Sequence, residues 1–202
     1  MISIIDIGSG NVFSVYNMFK KIGYNSIITN DKEEIKKSTS IILPGVGHFD
    51  YCMQSLQKTG LIKTLENEVI RKKKKFLGIC VGLQMLFEKS EEGSEKGLSW
   101  IKGEVVRFNE KKDLQINIPH MGWNYVMPKK DKELFEAFEE NRFYFIHSYH
   151  AKCDDKDDIL TETEYGNIFP SAIKKNNITA VQFHPEKSHI FGMSFLKRYM
   201  ET

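Results

Sequence analysis

The chain has 202 residues, 41% of them hydrophobic and 28% charged, with a formal net charge of +2. That length suits one α/β domain spanning residues 1–202, and the ordinary apolar fraction argues against disorder. The small charge argues against a polyanion-binding protein, and 14 glycines and 5 prolines are too few for a fibrous chain.

Ile2–Ile7 reads as a buried strand closed by Gly8-Ser9-Gly10-Asn11. Val12–Ile22 has apolar residues at helical spacing and stops at Gly23, a suitable residue just past a helix end. Tyr24–Ile28 is a second strand, and Asp31 is placed to cap a short helix. Ser40–Leu43 is a third strand, ended by Pro44-Gly45-Val46-Gly47. Helical patterns cover Phe49–Gln57 and Leu61–Lys72. Phe76–Ile79 is a fourth strand that enters a helix over Gly82–Lys89. This alternation predicts a parallel sheet flanked by helices. Beyond Gly93, strands at Gly103–Phe108, Trp123–Val126, Arg142–Ile146, Ile159–Thr163, Ser171–Lys174 and Thr179–Phe183 predict an antiparallel or mixed second half, closed by a helix near Ile190–Met200.

The longest uncharged apolar stretch, Phe76–Phe87, is well short of the roughly 20 residues of a membrane helix. The N-terminus lacks the basic segment of a signal peptide. Three widely spaced cysteines (Cys52, Cys80 and Cys153) do not suit a disulfide framework or a zinc site, so a cytoplasmic chain without a metal is expected. The basic runs Arg71–Lys75 and Lys129–Lys132 lack interleaved aromatics that could stack bases, and the first is a helix C-terminus, where cations are favoured. No nucleic-acid or membrane partner is expected.

Gly78-Ile79-Cys80-Val81-Gly82 stands between a strand and a helix. This is the thiol form of a nucleophile elbow, a tight turn that needs small residues two positions to either side of the nucleophile. It places the thiol at a helix N-terminus, which favours the thiolate and offers backbone N–H groups, Val81 first, to an oxyanion. A glycine-flanked cysteine can also be a plain structural residue. A thiol nucleophile needs a base, and the base an orienting group. Gln182-Phe183-His184-Pro185-Glu186 supplies both at the end of another strand, where parallel α/β folds place their sites.

Those two segments resemble the class I, triad-type glutamine amidotransferases. Pro44-Gly45-Val46-Gly47-His48-Phe49, Pro119-His120-Met121-Gly122-Trp123-Asn124 and Tyr144-Phe145-Ile146-His147-Ser148-Tyr149 narrow the resemblance to the glutaminase subunits of imidazole glycerol phosphate synthases. The resemblance implies a three-layer, flavodoxin-like α/β fold with a mixed, largely parallel sheet. It makes Cys80 the nucleophile, His184 the base and then acid, and Glu186 the orienting carboxylate. Val46 and Val81 would be oxyanion donors. Gly47, Gln84, Glu92 and the segment His147, Ser148, Tyr149 would hold the substrate, L-glutamine, with Glu92 on its α-ammonium. No cofactor is implied. The partner would be a HisF-type cyclase, a (β/α)₈ barrel forming a heterodimer, with Asn11, Trp123 and Tyr144 at the interface. The isolated chain would be a poor glutaminase until that partner orders the Val46 loop.

Asp6-Ile7-Gly8 differs from the Asp-Tyr-Gly usual in that family, and Ala180 stands where glycine is common. Three rival readings remain. One is a paralogue that feeds ammonia to sugar amidation in surface-polysaccharide synthesis. Another is a stand-alone γ-glutamyl hydrolase, and the third a silent or redox-sensing subunit on the same fold. Cys52 and Cys153 are read as structural, and His120, His150 and His189 receive no role.

Overall fold

Ile2–Ile5 (β1) is four consecutive buried residues, the signature of a strand covered on both faces. The computed structural model describes residues 1–108, 116–135 and 140–202. β1 is flanked in parallel by Ser26–Thr29 (β2) and Ser40–Gly45 (β3), and β3 by Lys75–Cys80 (β4). The connections are Val12–Lys21 (α1), Lys32–Lys37 (α2), Phe49–Thr59 (α3) and Ile62–Leu65 (α4), the last running on as a wide turn over Glu66–Arg71. α1 buries Val12, Val15 and Phe19, and Gly23 follows its end at φ +86°. Asp31 accepts hydrogen bonds from Glu33 and Glu34 N–H, so it caps α2 as its position predicts.

The helix expected over Gly82–Lys89 is a single turn, Val81–Gln84 (α5). The carbonyls that would carry it further are taken by an incoming loop. Leu98 N–H donates to Met85 O, Trp100 N–H to Leu86 O and Ser99 N–H to Phe87 O. A Cβ on Gly97 would lie 2.0 Å from Phe87 O, so this loop needs its glycine. The chain then forms a short strand, Lys89–Ser90 (β5), absent from the sequence reading.

Beyond it lie Gly103–Arg107 (β6), His120–Tyr125 (β7), Met127–Pro128 (β8), Arg142–His147 (β9) and Tyr149–Cys153 (β10). Ile159–Tyr165 (β11), Asn167–Lys175 (β12), Ile178–Val181 (β13) and His189–Glu201 (α6) complete the described elements. The main sheet runs β2-β1-β3-β4-β13-β12-β11-β8. Its first five strands are parallel and the rest antiparallel, so the predicted change of character is real. β13 crosses back to lie parallel to β4. β10-β6-β5 form a small second sheet, and β7 and β9 an antiparallel ribbon.

Most cations of the two basic runs pair within the fold. Lys72 and Lys74 each stand 2.8 Å from the buried Glu68 carboxylate, and Lys75 Nζ donates to Tyr199 O. Lys129 pairs with Glu162 at 2.6 Å, and Lys130 donates to Asp157 O. Among the described residues no helix is long and apolar enough to cross a membrane.

Candidate active site

Cys80 ends β4 at φ +55°, in the left-handed region that a non-glycine residue enters only under strain. What holds it there is main-chain contact. A Cβ on Gly82 would lie 2.0 Å from Leu43 O, one on Gly78 2.7 Å from Gly82 O, and one on Gly45 2.8 Å from Gly82 N. β3, β4 and α5 therefore touch backbone to backbone, and the thiol follows from that vertex.

β13 brings the second group. It pairs with β4 so that Ala180 faces Gly78 and Val181 faces Ile79. The next step puts Gln182 beside Cys80, and Gln182 Nε2 donates to the sulfur over 3.7 Å. His184 follows, with Nδ1 2.7 Å from Glu186 Oε1 and both side chains essentially buried. The turn carrying them is stitched to β9. His184 N–H donates to Tyr144 O, while Ser188 Oγ donates to His184 O (2.6 Å) and accepts from Tyr144 N–H (3.0 Å). His184 Nε2 and Glu186 Oε2 are buried without a well-formed hydrogen bond. Burial works against charge on His184. Cys80 and the Glu186 carboxylate, both close by, outweigh it and raise the imidazole to about 10. One imidazole nitrogen is thus held by a carboxylate, and the other is left for the sulfur.

A cleft of about 640 Å³ opens over the sulfur. Val46, Gly47, Cys80, Val81, Gln84, Glu92, His147, Ser148, Tyr149 and His184 line it, and Asn11 stands at its wall. Glu186 lies behind His184. Gly10, Pro119, Ile146 and Lys187 also line the cleft, and the sequence reading assigned none of them a place there. One Glu92 oxygen accepts from Phe49 N–H at the start of α3 (2.8 Å).

Two of the expected site residues are engaged differently from what their assigned roles suggest. Val46 N–H donates over 3.4 Å to Ser9 Oγ, and Val46 O accepts from Ser9 Oγ (2.5 Å) and Cys52 Sγ (3.4 Å). In this conformation its N–H is therefore already occupied. The His147 ring is turned inward, 3.0 Å from His120 Nδ1 and 2.8 Å from Tyr149 O.

Outside the cleft, Trp123 is 44% exposed, opposite Tyr144 in the β7–β9 ribbon and stacked on His189 at 5.8 Å. Met121 and Tyr125 are exposed on the same face of β7, which alternates side chains by twos. Gln182 contacts the sulfur and was passed over by sequence reasoning, as was Ile146, whose carbonyl accepts from Cys80 Sγ over 4.0 Å. The signal for Gln182 was the register between two strand ends, which periodicity does not show.

A family model described as glutamine amidotransferase class-I matches residues 3–199. The chain is 51% identical to a Methanococcus maripaludis protein named imidazole glycerol phosphate synthase subunit HisH 2, covering 100% of this chain and 99% of that one. It is 45% identical to a Pseudomonas aeruginosa protein of the same name, again over 100% and 99%. Among solved structures, a glutamine amidotransferase shares its fold at a TM-score of 0.76 and 15% identity, covering 99% of this chain and 97% of the other. PurLQS from Thermotoga maritima does so at 0.70 and 16%, covering 99% and 95%.

Proposed function

The chain belongs to the class I glutamine amidotransferases, and from that premise we propose how its cleft releases ammonia from glutamine. It is the glutaminase subunit of an imidazole glycerol phosphate synthase, supplying ammonia for histidine biosynthesis. The observation that carries the chemistry is the buried His184–Glu186 pair at 2.7 Å, beside a cysteine on a strained strand end.

The Cys80 thiolate attacks the side-chain carbonyl carbon of glutamine. The C=O π pair moves onto oxygen, and Val81 N–H is the nearest donor to it. Val46 N–H becomes a second donor once its peptide leaves Ser9. Each such donor is worth about 3 kcal/mol in the transition state. His184 gives its proton to the departing nitrogen, and ammonia leaves a thioester on Cys80. His184 then takes a proton from water, whose oxygen attacks the thioester, and glutamate is released. Glu186 keeps the imidazole oriented and stabilises its cation. Gln84, Glu92 and the Ser148–Tyr149 segment hold the amino-acid end of the substrate, with Glu92 facing its ammonium.

The ammonia goes to a cyclase partner of (β/α)₈ type, docked around the mouth of the cleft. The support is the exposed Met121, Trp123 and Tyr125 face, with Asn11, Tyr144 and Lys187 beside it. Aromatic residues exposed in one patch mark such contacts. The complex works in the cytoplasm, in keeping with its three free cysteines. A second reading sends the ammonia to sugar amidation. The departures from the family pattern at Ile7 and Ala180, neither of which touches the triad, leave that acceptor open.

Co-purification tests both readings. A cyclase barrel alone supports the first, and a barrel accompanied by a sugar-modifying ligase supports the second. With Cys80→Ser, glutamine-dependent synthesis is expected to fall at least about a thousandfold while ammonium salts still support it. Unchanged glutamine use would overturn the mechanism.

A further inference from the structure

His120, on β7, is buried and has no part in the steps above. Its ring belongs to an unbroken line of hydrogen bonds. Asn124 Nδ2 stands 3.2 Å from His120 Nε2, and His120 Nδ1 stands 3.0 Å from His147 Nε2. His147 Nδ1 stands 2.8 Å from Tyr149 O. Both ends of this line have fixed polarity. The Asn124 amide nitrogen also donates to Glu164 O at 3.0 Å, and its oxygen accepts from Tyr125 N–H at 2.7 Å, so the nitrogen must be the donor towards His120. Tyr149 O can only accept. Each histidine is therefore neutral and carries its proton on Nδ1, since a ring that accepts on one nitrogen must donate from the other. Burial depresses both imidazoles, His120 to about 4, which keeps them in that neutral form.

The line continues to the nucleophile. Tyr149 O also accepts from Gln84 Nε2 at 3.1 Å, and the same nitrogen donates to Gln182 Oε1 at 3.1 Å. That leaves Gln182 Nε2 as the donor facing the Cys80 sulfur. We propose that His120 is a positioning residue for glutamine hydrolysis: through His147 it holds the Tyr149 carbonyl, and with it the Gln84–Gln182 amide pair that presents a donor to Cys80. Stacking keeps the ring in place, with Tyr165 at 3.9 Å and Phe145 at 4.8 Å between centroids. The line starts on β7, the strand that carries Trp123, so one strand serves both the exposed face and the wall of the cleft. This inference rests on the reading of Cys80 as the glutaminase nucleophile.

The test compares the wild type with His120→Phe, which keeps the stacking and removes both nitrogens, and with His120→Gln, whose amide can accept from Asn124 and donate to His147. Glutamine hydrolysis is measured in the complex the chain purifies with, and iodoacetamide alkylation of Cys80 on the full chain alone. His120→Phe is expected to raise KM for glutamine about fivefold, with a smaller fall in kcat, because the Tyr149 wall loosens before the triad does. Alkylation of Cys80 is expected to slow about threefold as the Gln182 donor is lost, and His120→Gln to recover most of both. Unchanged KM and alkylation in a folded His120→Phe chain would overturn the proposal, as would no recovery with His120→Gln. If His120→Phe does not fold, Asn124→Leu decides on the same readouts, with changes of about twofold expected. A wild-type complex that releases no glutamate would overturn the glutaminase reading itself. The alkylation comparison would still decide whether His120 positions the sulfur's surroundings.

Discussion

On the parallel side of the cleft, β3, β4 and α5 meet through main-chain contacts that leave no room for a Cβ at Gly45, Gly78 or Gly82. On the facing side, the turn bearing His184 and the β9–β10 segment are held by side-chain hydrogen bonds, from Tyr144 N–H to Ser188 Oγ, from Ser188 Oγ to His184 O and from His147 Nδ1 to Tyr149 O. The Cys80 thiol is thus placed by steric exclusion, and His184 and the Tyr149 wall of the cleft by directed bonds. The two kinds of restraint fail differently. Overfilling a close-packed contact shifts the backbone, whereas losing a hydrogen bond loosens one group and leaves the chain path intact.

Substitutions can separate the two. Gly82→Ala is expected to cause the largest loss, about 4 kcal/mol or more by chemical denaturation, because its Cβ meets backbone and no flexible side chain can yield. A loss under about 1 kcal/mol would show that the vertex is looser than its contacts imply. Glu186→Gln leaves the fold in place and is expected to lower kcat for glutamine about a hundredfold, through mis-orientation of His184. An equal fall in a mutant that also melts early would point to folding instead. Ser188→Ala removes two bonds at once. It is expected to cost about 2 kcal/mol, with a several-fold fall in kcat, since the His184 carbonyl and Tyr144 N–H lose one shared partner.

Away from the cleft the effects are smaller. Burial alone would raise the Glu68 carboxyl, but Lys72 and Lys74 hold it near 2. A carboxylate depressed on folding contributes stability that is full above its ordinary value near 4.5 and lost as pH falls through about 2. Glu68→Gln is therefore expected to cost about 1–2 kcal/mol at neutral pH, and the gap to wild type to close in acid. A gap independent of pH would contradict the ion-pair account. Lys129→Ala, which breaks a half-exposed pair with Glu162, is expected to change stability by less than about 0.5 kcal/mol.

The same division explains what could be read from the amino-acid order. The elbow is legible because its requirement is local: a cysteine between two glycines, at the end of an apolar strand. His184 and Glu186 are legible for the same reason, being two residues apart on one turn. The helix over Gly82–Lys89 is misread because Leu98, Ser99 and Trp100 take its carbonyls, and a later loop cannot be seen from an apolar period. Gln182 beside Cys80 depends on the pairing of β13 with β4. His120 beside His147 depends on the pairing of β7 with β9. The Val46 N–H is likewise committed to Ser9, from the loop after β1, by a contact between distant segments.

The glycine vertex also sets where this enzyme can vary. Three peptide segments meeting with no side chain between them have nothing to exchange by mutation, so the sulfur's location is effectively frozen in any descendant that still folds. Drift towards faster, slower or differently governed turnover has to enter from the opposite wall, where hydroxyls, amides and imidazoles can be swapped singly without moving the thiol.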